Sequence, residues 1–462
     1  MWDSFIEAVT KVNDWVNGVV WGLPMIIMIL GTGILLTVRT RVLQVRKFGE
    51  SMSSTIVPAV KDMKKSKKGR DKKAVSQFEA FSAAISGTVG TGNIIGVTSA
   101  ILTGGPGAVL WMWISAFFGM VTNYSENVLG LYYRKKEKDG SFSGGAFYYI
   151  AYGIKQRWLG MLAAIFCLLA AVGMSGVQTN KITGSYTSVL NNDSAAVKLI
   201  IGGIVAFLAA VVIIGGIKRI GRIASMLVPF MSLLFIAMAF VIIGKNYTAI
   251  PDTFRLIFTS AFSSKAVAGG VGGFAFSQII KKGLARGVFS NEAGLGTSAM
   301  AHSASDNTDG VKQSLYGIFE VFTDTVVICT LTALTVLCSG IYINYGATAS
   351  TELVNEAFSV IYGDLSGALL ALMMCLFGLS SVIGWGYYGT VCCSYVFGNK
   401  GKRLFVFIYP AACIIGAVCS ADTAWRLSAF FNGIMLCVNT FAVMLLSSFV
   451  NEKLNNFSLK KV

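Results

Sequence analysis

The chain has 462 residues, 54% of them hydrophobic and only 13% charged. An ordinary soluble domain carries about 25% charged residues, so a water-soluble globular fold is excluded and an all-α integral membrane protein is implied. The net charge of +16 suggests a nucleic-acid partner only until the charges are placed. Of the 38 Lys and Arg, 31 fall in segments assignable to one membrane face (39–73, 134–157, 218–222, 281–312, 400–403 and 453–461), the bias of cytoplasmic loops. The basic run 39–73 has no aromatic interleaving for base stacking and is expected to lie along anionic headgroups; no nucleic-acid partner is expected. All nine Cys sit in hydrophobic runs, without the spacing of a zinc site or a disulfide framework.

In chain order, residues 1–17 place Trp2, Phe5, Ile6, Val9, Val12, Trp15 and Val16 at helical spacing. This predicts an amphipathic interfacial helix rather than a cleavable leader, which would need a basic start and a small-residue cleavage site. Eleven apolar segments long enough to span follow, at about 20–38, 76–102, 105–133, 158–187, 196–216, 221–244, 266–282, 314–342, 366–397, 403–420 and 424–449. An odd count keeps the basic segments on one side, with the N-terminus outside and the C-terminus in the cytoplasm. Segment 247–264 (Ile250, Phe254, Ile257, Phe258, Phe262) reads as an interfacial helix.

Two spans carry glycine interruptions. Ser86-Gly87-Thr88-Val89-Gly90-Thr91-Gly92-Asn93 breaks the second span, and Gly269-Gly270-Val271-Gly272-Gly273 breaks the seventh. Unwound backbone at membrane depth is tolerated only inside protein or beside a watery cavity, and broken helices are how transporters build midplane sites. Counted from residue 76, the breaks open the first and sixth of ten spans and enter from opposite sides, an inverted repeat. The expected units are 1–75 (amphipathic segment, peripheral helix, basic linker), 76–245 and 246–450 (five helices each, the second with its preceding interfacial helix) and the tail 451–462.

Three motifs point to a family. Residues 104–119 (GGPGAVLWMWISAFFG), Ser290-Asn291-Glu292-Ala293-Gly294-Leu295-Gly296 and the stretch 86–93 resemble those of the alanine or glycine:cation symporter family, with Leu110 where that family usually has Phe. Val89–Asn93 is also similar to the broken first helix of the wider neurotransmitter:sodium symporter group. The resemblance spans roughly 76–450. It implies a leucine-transporter-like five-plus-five inverted repeat with one extra N-terminal helix, and sodium-coupled uptake of a small neutral amino acid.

An amino acid is a zwitterion, and broken helices can bind one without ionised side chains. The N–H groups that open a half-helix suit a carboxylate, and the free carbonyls that end one suit an ammonium or a hard cation. Thr91, Gly92 and Asn93 are therefore expected at the carboxylate, and carbonyls near Gly87, Thr88 and Gly270 at the ammonium, with Gly90 allowing close approach. The resemblance places Ser380 and Ser381 opposite the first break. Their hydroxyls and the Ser86 and Val89 carbonyls are the expected Na⁺ ligands; Na⁺ is the coupling ion and no organic cofactor is expected. Gln178 is the expected substrate hydrogen-bonding group, Trp385 the roof of the pocket, and Phe274 and Phe276 its gates. Lys181 either snorkels or alters the outer gate. Glu320 and Asp324, four apart in one span, make polar contacts or carry a proton-linked step; Glu126 with Asn123 and Asn127 is expected to brace the inner gate. Glu292 and Asn291 read as a gate-and-loop network, and His302 as part of a polar loop. A proton-coupled symporter of the same fold is the alternative and an ion channel the less favoured one. No nucleophile–base pair or HExxH motif supports an enzyme. Alanine, glycine, serine and glutamine remain open as substrates, as does the oligomeric state.

Overall fold

A computed structural model describes residues 2–55, 75–137, 140–262, 276–307, 309–348 and 350–459. The described chain is almost wholly helical. Helix α1 (Trp2–Val20) leads into α2 (Leu23–Arg39). The first broken span is α3 (Gln77–Thr88) followed by α4 (Gly92–Gly104), bent by 49° at the break. Then come α5 (Ala108–Tyr132), short α6 (Ala146–Tyr152), α7 (Arg157–Leu190), α8 (Ala195–Ile214), α9 (Gly216–Lys245) and α10 (Ile250–Phe262). The second half contains α11 (Phe276–Asn291), α12 (Ser298–Ser303), α13 (Gly310–Leu337) and α14 (Ser350–Tyr362). The last elements are α15 (Ser366–Val418), α16 (Ala421–Leu445) and α17 (Ser447–Leu459). Expected spans 366–397 and 403–420 meet in α15, which turns at Gly398 (φ 68°).

Among the described residues, seven helical stretches are long and apolar enough to cross a membrane, or eight with the bent pair as one span. Two short strands, Lys135–Lys136 and Phe142–Ser143, pair antiparallel and depart from the all-α expectation. Their ribbon is anchored by Arg134, which donates to the carbonyls of Ser303, Ser305 and Asn307 at 3.0, 2.7 and 2.8 Å.

The interruption Gly269–Gly273, with Gly270 and Phe274, lies outside the described residues. The structure corrects the boundaries around it. The expected span 266–282 stops at the basic Lys281-Lys282, yet α11 continues to Asn291, and 281–312 is not a loop. Lys282 packs against Gly104, and Arg286 donates to Ser99 on α4 at 3.2 Å. With Lys281 they therefore belong to the Gly104 end of the bundle, opposite Arg134, and not to the face where the charge count grouped them. Long cationic side chains with apolar stems can sit this way on a membrane helix while their heads reach polar partners. Hydropathy ended the span where the charges begin, although the helix does not end there.

Candidate functional site at two helix breaks

The first break forms because the backbone cannot continue helically through Val89 (φ −80°, ψ 99°). A capping box between Ser76 and Glu79 fixes the start of α3. The break packs so closely on α15 that side chains are forbidden. A Cβ on Gly87 would lie 2.6 Å from the Tyr388 hydroxyl, and one on Gly384 only 2.6 Å from the Gly87 nitrogen. Tyr388 donates to the carbonyl of Ala84 at 3.1 Å and Ser381 to that of Gly87 at 3.1 Å. Beyond the break, α4 opens with a π-helical turn, Gly92–Gly96, a deformation common at functional sites.

A second interruption faces the first. Between α11 and α12 the chain unwinds over residues 292–297, with Glu292, Gly294 and Gly296 at φ 55°, 100° and 75°. Glycine accepts this region freely. Glu292 does not, and such strain gathers where structure is used. Glu292 is held by the Thr297 hydroxyl at 2.6 Å. The motif Ser290–Gly296, expected as a gate-and-loop network, thus contains the break of this helix. Helix α11 packs on α4 and α12 on α3, so the two broken helices run in opposite directions and their unwound segments meet.

Asp324 joins them. It sits in a π-helical stretch of α13, Phe322–Cys329. Its carboxylate accepts from Asn93 Nδ2 at 2.5 Å, Ser290 Oγ at 2.9 Å and Thr325 Oγ1 at 2.7 Å. Asn93 Oδ1 accepts from the Gly90 N–H at 2.9 Å, stabilising the break locally. Glu320, one turn away, accepts from Ser298 Oγ at 2.8 Å and faces His302 Nε2 at 3.4 Å. His302 is fully buried in α12, not in a polar loop. Its Nδ1 lies 2.9 Å from Gln313 Nε2. Glu126 pairs with Asn439 of α16 at 2.5 Å, while Asn123 and Asn127 bond each other at 2.7 Å. Asn439 also donates to the Gly294 carbonyl at 2.7 Å and accepts from the Tyr149 hydroxyl.

The remaining expected residues fall as follows. Gln178 Oε1 accepts from both the N–H and hydroxyl of Thr91, at 3.1 and 2.7 Å. Gly90 lies against Ser381 and Gln178, whereas a Cβ on Gly92 would meet no atom within 4 Å. Ser86 and Thr88 donate to carbonyls of their own helix. Val89 is buried beside them. Ser380 Oγ is buried with no hydrogen-bond partner among the described residues. Trp385 is fully buried, edge-on to Tyr388 at 5.6 Å. Phe276 begins α11. Lys181 is half-buried within electrostatic reach of Arg286 and Glu352. Sequence reasoning missed Tyr388 and Asn439, and found Ser290 only as the first residue of a motif, without its bond to Asp324. Tyr388 follows Trp385 by one turn and carried no separate signal, and a lone Asn in a late span shows no partner until the helices are placed.

Two antiparallel broken helices, tied at their breaks through neutral and acidic side chains inside a helical membrane bundle, define a solute transporter of the leucine-transporter-like fold. That fold is shared with MhsT, solved in complex with L-phenylalanine (TM-score 0.59, 12% identity, covering 84% of this chain and 99% of that one). It is shared also with MHP1, a nucleobase-cation-symport-1 family transporter (TM-score 0.51, 11% identity, 79% and 78%). The chain belongs to the sodium:alanine symporter family, which it matches over residues 6–462. It is 36% identical to the sodium/alanine symporter AgcS of Methanococcus maripaludis, covering 98% of each chain. It is 33% identical to the amino-acid carrier protein AlsT of Bacillus subtilis (91% and 86%), and 34% identical to the "Probable sodium/glutamine symporter GlnT" of the same organism (96% and 90%). The chain is thus a multi-pass amino-acid:cation symporter and not an enzyme.

Proposed function

We propose that the protein couples Na⁺ entry to uptake of a small neutral amino acid, alanine or glycine, by alternating access across the cell membrane. The N-terminus is outside and the C-terminus in the cytoplasm, and eleven spans comprise a five-plus-five inverted repeat and one extra helix. The observation that carries the reading is the meeting of the two unwound segments at Asn93, Asp324 and Ser290. The substrate carboxylate takes the N–H groups at Thr91–Asn93, where the Gln178 amide oxygen now accepts from Thr91 as a carboxylate oxygen would. The ammonium takes carbonyls near Gly87 and Thr88. The open space at Gly92 suits a small side chain, and the tight contact at Gly90 limits depth. Trp385 buttresses the pocket through Tyr388.

Na⁺ is held by Ser380 and Ser381 with the carbonyls of Ser86 and Val89. The partnerless, buried Ser380 hydroxyl supports this site, since such an oxygen is costly unless it has a ligand. Relatives named for sodium and alanine favour the same substrate and ion. One charge moving through 100 mV supplies about 2.3 kcal/mol. A tenfold gradient adds about 1.4 kcal/mol, enough for roughly a few-hundred-fold accumulation. Labelled-alanine uptake by proteoliposomes with Na⁺ replaced by choline tests this: uptake should fall to the leak rate, and Ser381→Ala should raise the Na⁺ concentration for half-maximal uptake several-fold.

A proton-coupled cycle is the second reading, favoured by one observation: Glu320 Oε1 is buried with no hydrogen-bond partner among the described residues while Oε2 faces His302. In that case Glu320→Gln abolishes uphill uptake and Ser381→Ala does not.

A further inference from the structure

A cavity of about 410 Å³ opens at the Gly104 end between α1, α11 and α16. Its walls include Asp14, Trp21, Lys282, Arg286, Trp425 and Arg426. We propose that it binds the headgroup of an anionic phospholipid, whose acyl chain continues along α2.

The charges argue for an anion. Arg426 is already compensated, by Asp14 at 2.6 and 2.8 Å and by Asp422 at 2.6 Å. Arg286 is not: it donates to Ser99 Oγ at 3.2 Å and stacks over the Trp425 ring at 4.3 Å. Among the described residues its charged neighbours are Lys282 and Lys181, both cations. Lys282 likewise has Arg286 and Lys281 beside it and no ion-pair partner among the described residues. Two cations without an anionic partner among the described residues thus face one cavity at the end of the bundle. A phosphodiester offers the acceptor geometry that guanidinium forks match.

The apolar surroundings argue for a lipid over a free ion. Trp21 and Ala285 pass from the cavity into a narrow crevice lined by Val20, Met25, Ile26, Ile29, Leu30 and Leu284. Beyond it Leu23 and Ile27 are 59% and 61% exposed on α2. The crevice has only about 10 Å³ of free space, so a headgroup in the cavity would leave its acyl chain on the exposed outer face of α2. The lipid would fasten α1 and α16 to α11, the helix that leads into the second break.

The test is native mass spectrometry of the full-length protein in non-ionic detergent. It is titrated with phosphatidylglycerol, with phosphatidylcholine of the same acyl chains, and with soluble glycerophosphoglycerol. The wild type should bind phosphatidylglycerol at least tenfold more tightly than phosphatidylcholine and show no measurable adduct with the soluble headgroup. Lys282→Gln/Arg286→Gln should bring the two lipids to equal affinity, while Lys453→Gln at the opposite end should leave the preference intact. If the double variant does not fold, Lys282→Glu at the exposed mouth should lower the preference at least threefold. Equal binding of both lipids by the wild type, a preference that survives these Lys282 and Arg286 changes, or tight binding of the soluble headgroup alone would each overturn the proposal.

Discussion

Single atoms decide how the first break is held. Replacing Gly87 by Ala drives a methyl group to 2.6 Å from the Tyr388 hydroxyl. Overpacking of this kind costs about 1–3 kcal/mol, so the detergent-solubilised variant should melt several degrees lower and transport poorly. An unchanged melting curve would mean that the contact with α15 is looser than the geometry requires. Gln178→Ala removes two acceptor contacts to Thr91. At about 1 kcal/mol each the substrate-free, detergent-solubilised variant should melt several degrees lower, and added alanine, whose carboxylate then meets unpaired Thr91 donors, should raise its melting temperature more than it raises the wild type's; a change confined to Na⁺ affinity would move Gln178 out of the substrate site. Asp324→Ala would strand donors on Asn93, Ser290 and Thr325 inside the bundle, a loss of order 3 kcal/mol. Stability and uptake should fall together, whereas Asp324→Asn, which keeps one oxygen for Asn93, should retain more of both.

Among the elements, the paired broken helices carry the account. The first was legible because Gly and hydroxyl residues interrupt an otherwise uniform apolar run. The second was legible only as a motif. Ser290–Gly296 stood out as family-like, but Lys281, Lys282 and Arg286 had already closed the hydropathy window, so the motif looked extramembrane. What sequence could not show is that Lys282 and Arg286, four apart on α11, face one cavity, with Arg286 over the Trp425 ring. The π-helical stretches that bring Asn93 and Asp324 together leave no pattern in composition, because an extra residue in a turn changes direction without changing chemistry. Boundaries elsewhere came within a few residues: 158–187 became Arg157–Leu190 and 424–449 became Ala421–Leu445. Arg134 should also act on an element. Arg134→Ala frees three carbonyls after α12, so amides of 303–307 should exchange with deuterium faster than in the wild type while those of α7 do not change.

At the scale of the whole molecule, the proposed cycle has opposed unwound segments convert a sodium gradient into amino-acid accumulation. The polar network reaches from Glu126 and Asn439 through Gly294, and from Asp324 to Asn93, linking both breaks to α5, α13 and α16. The measurement that tests this most directly is uphill uptake of labelled alanine by proteoliposomes holding the purified full-length chain, under an inward Na⁺ gradient with pH equal on both sides. Accumulation well above equilibrium that collapses when the Na⁺ gradient is dissipated, and survives a protonophore, is the predicted result. Accumulation that ignores Na⁺ and follows an imposed pH gradient would contradict it.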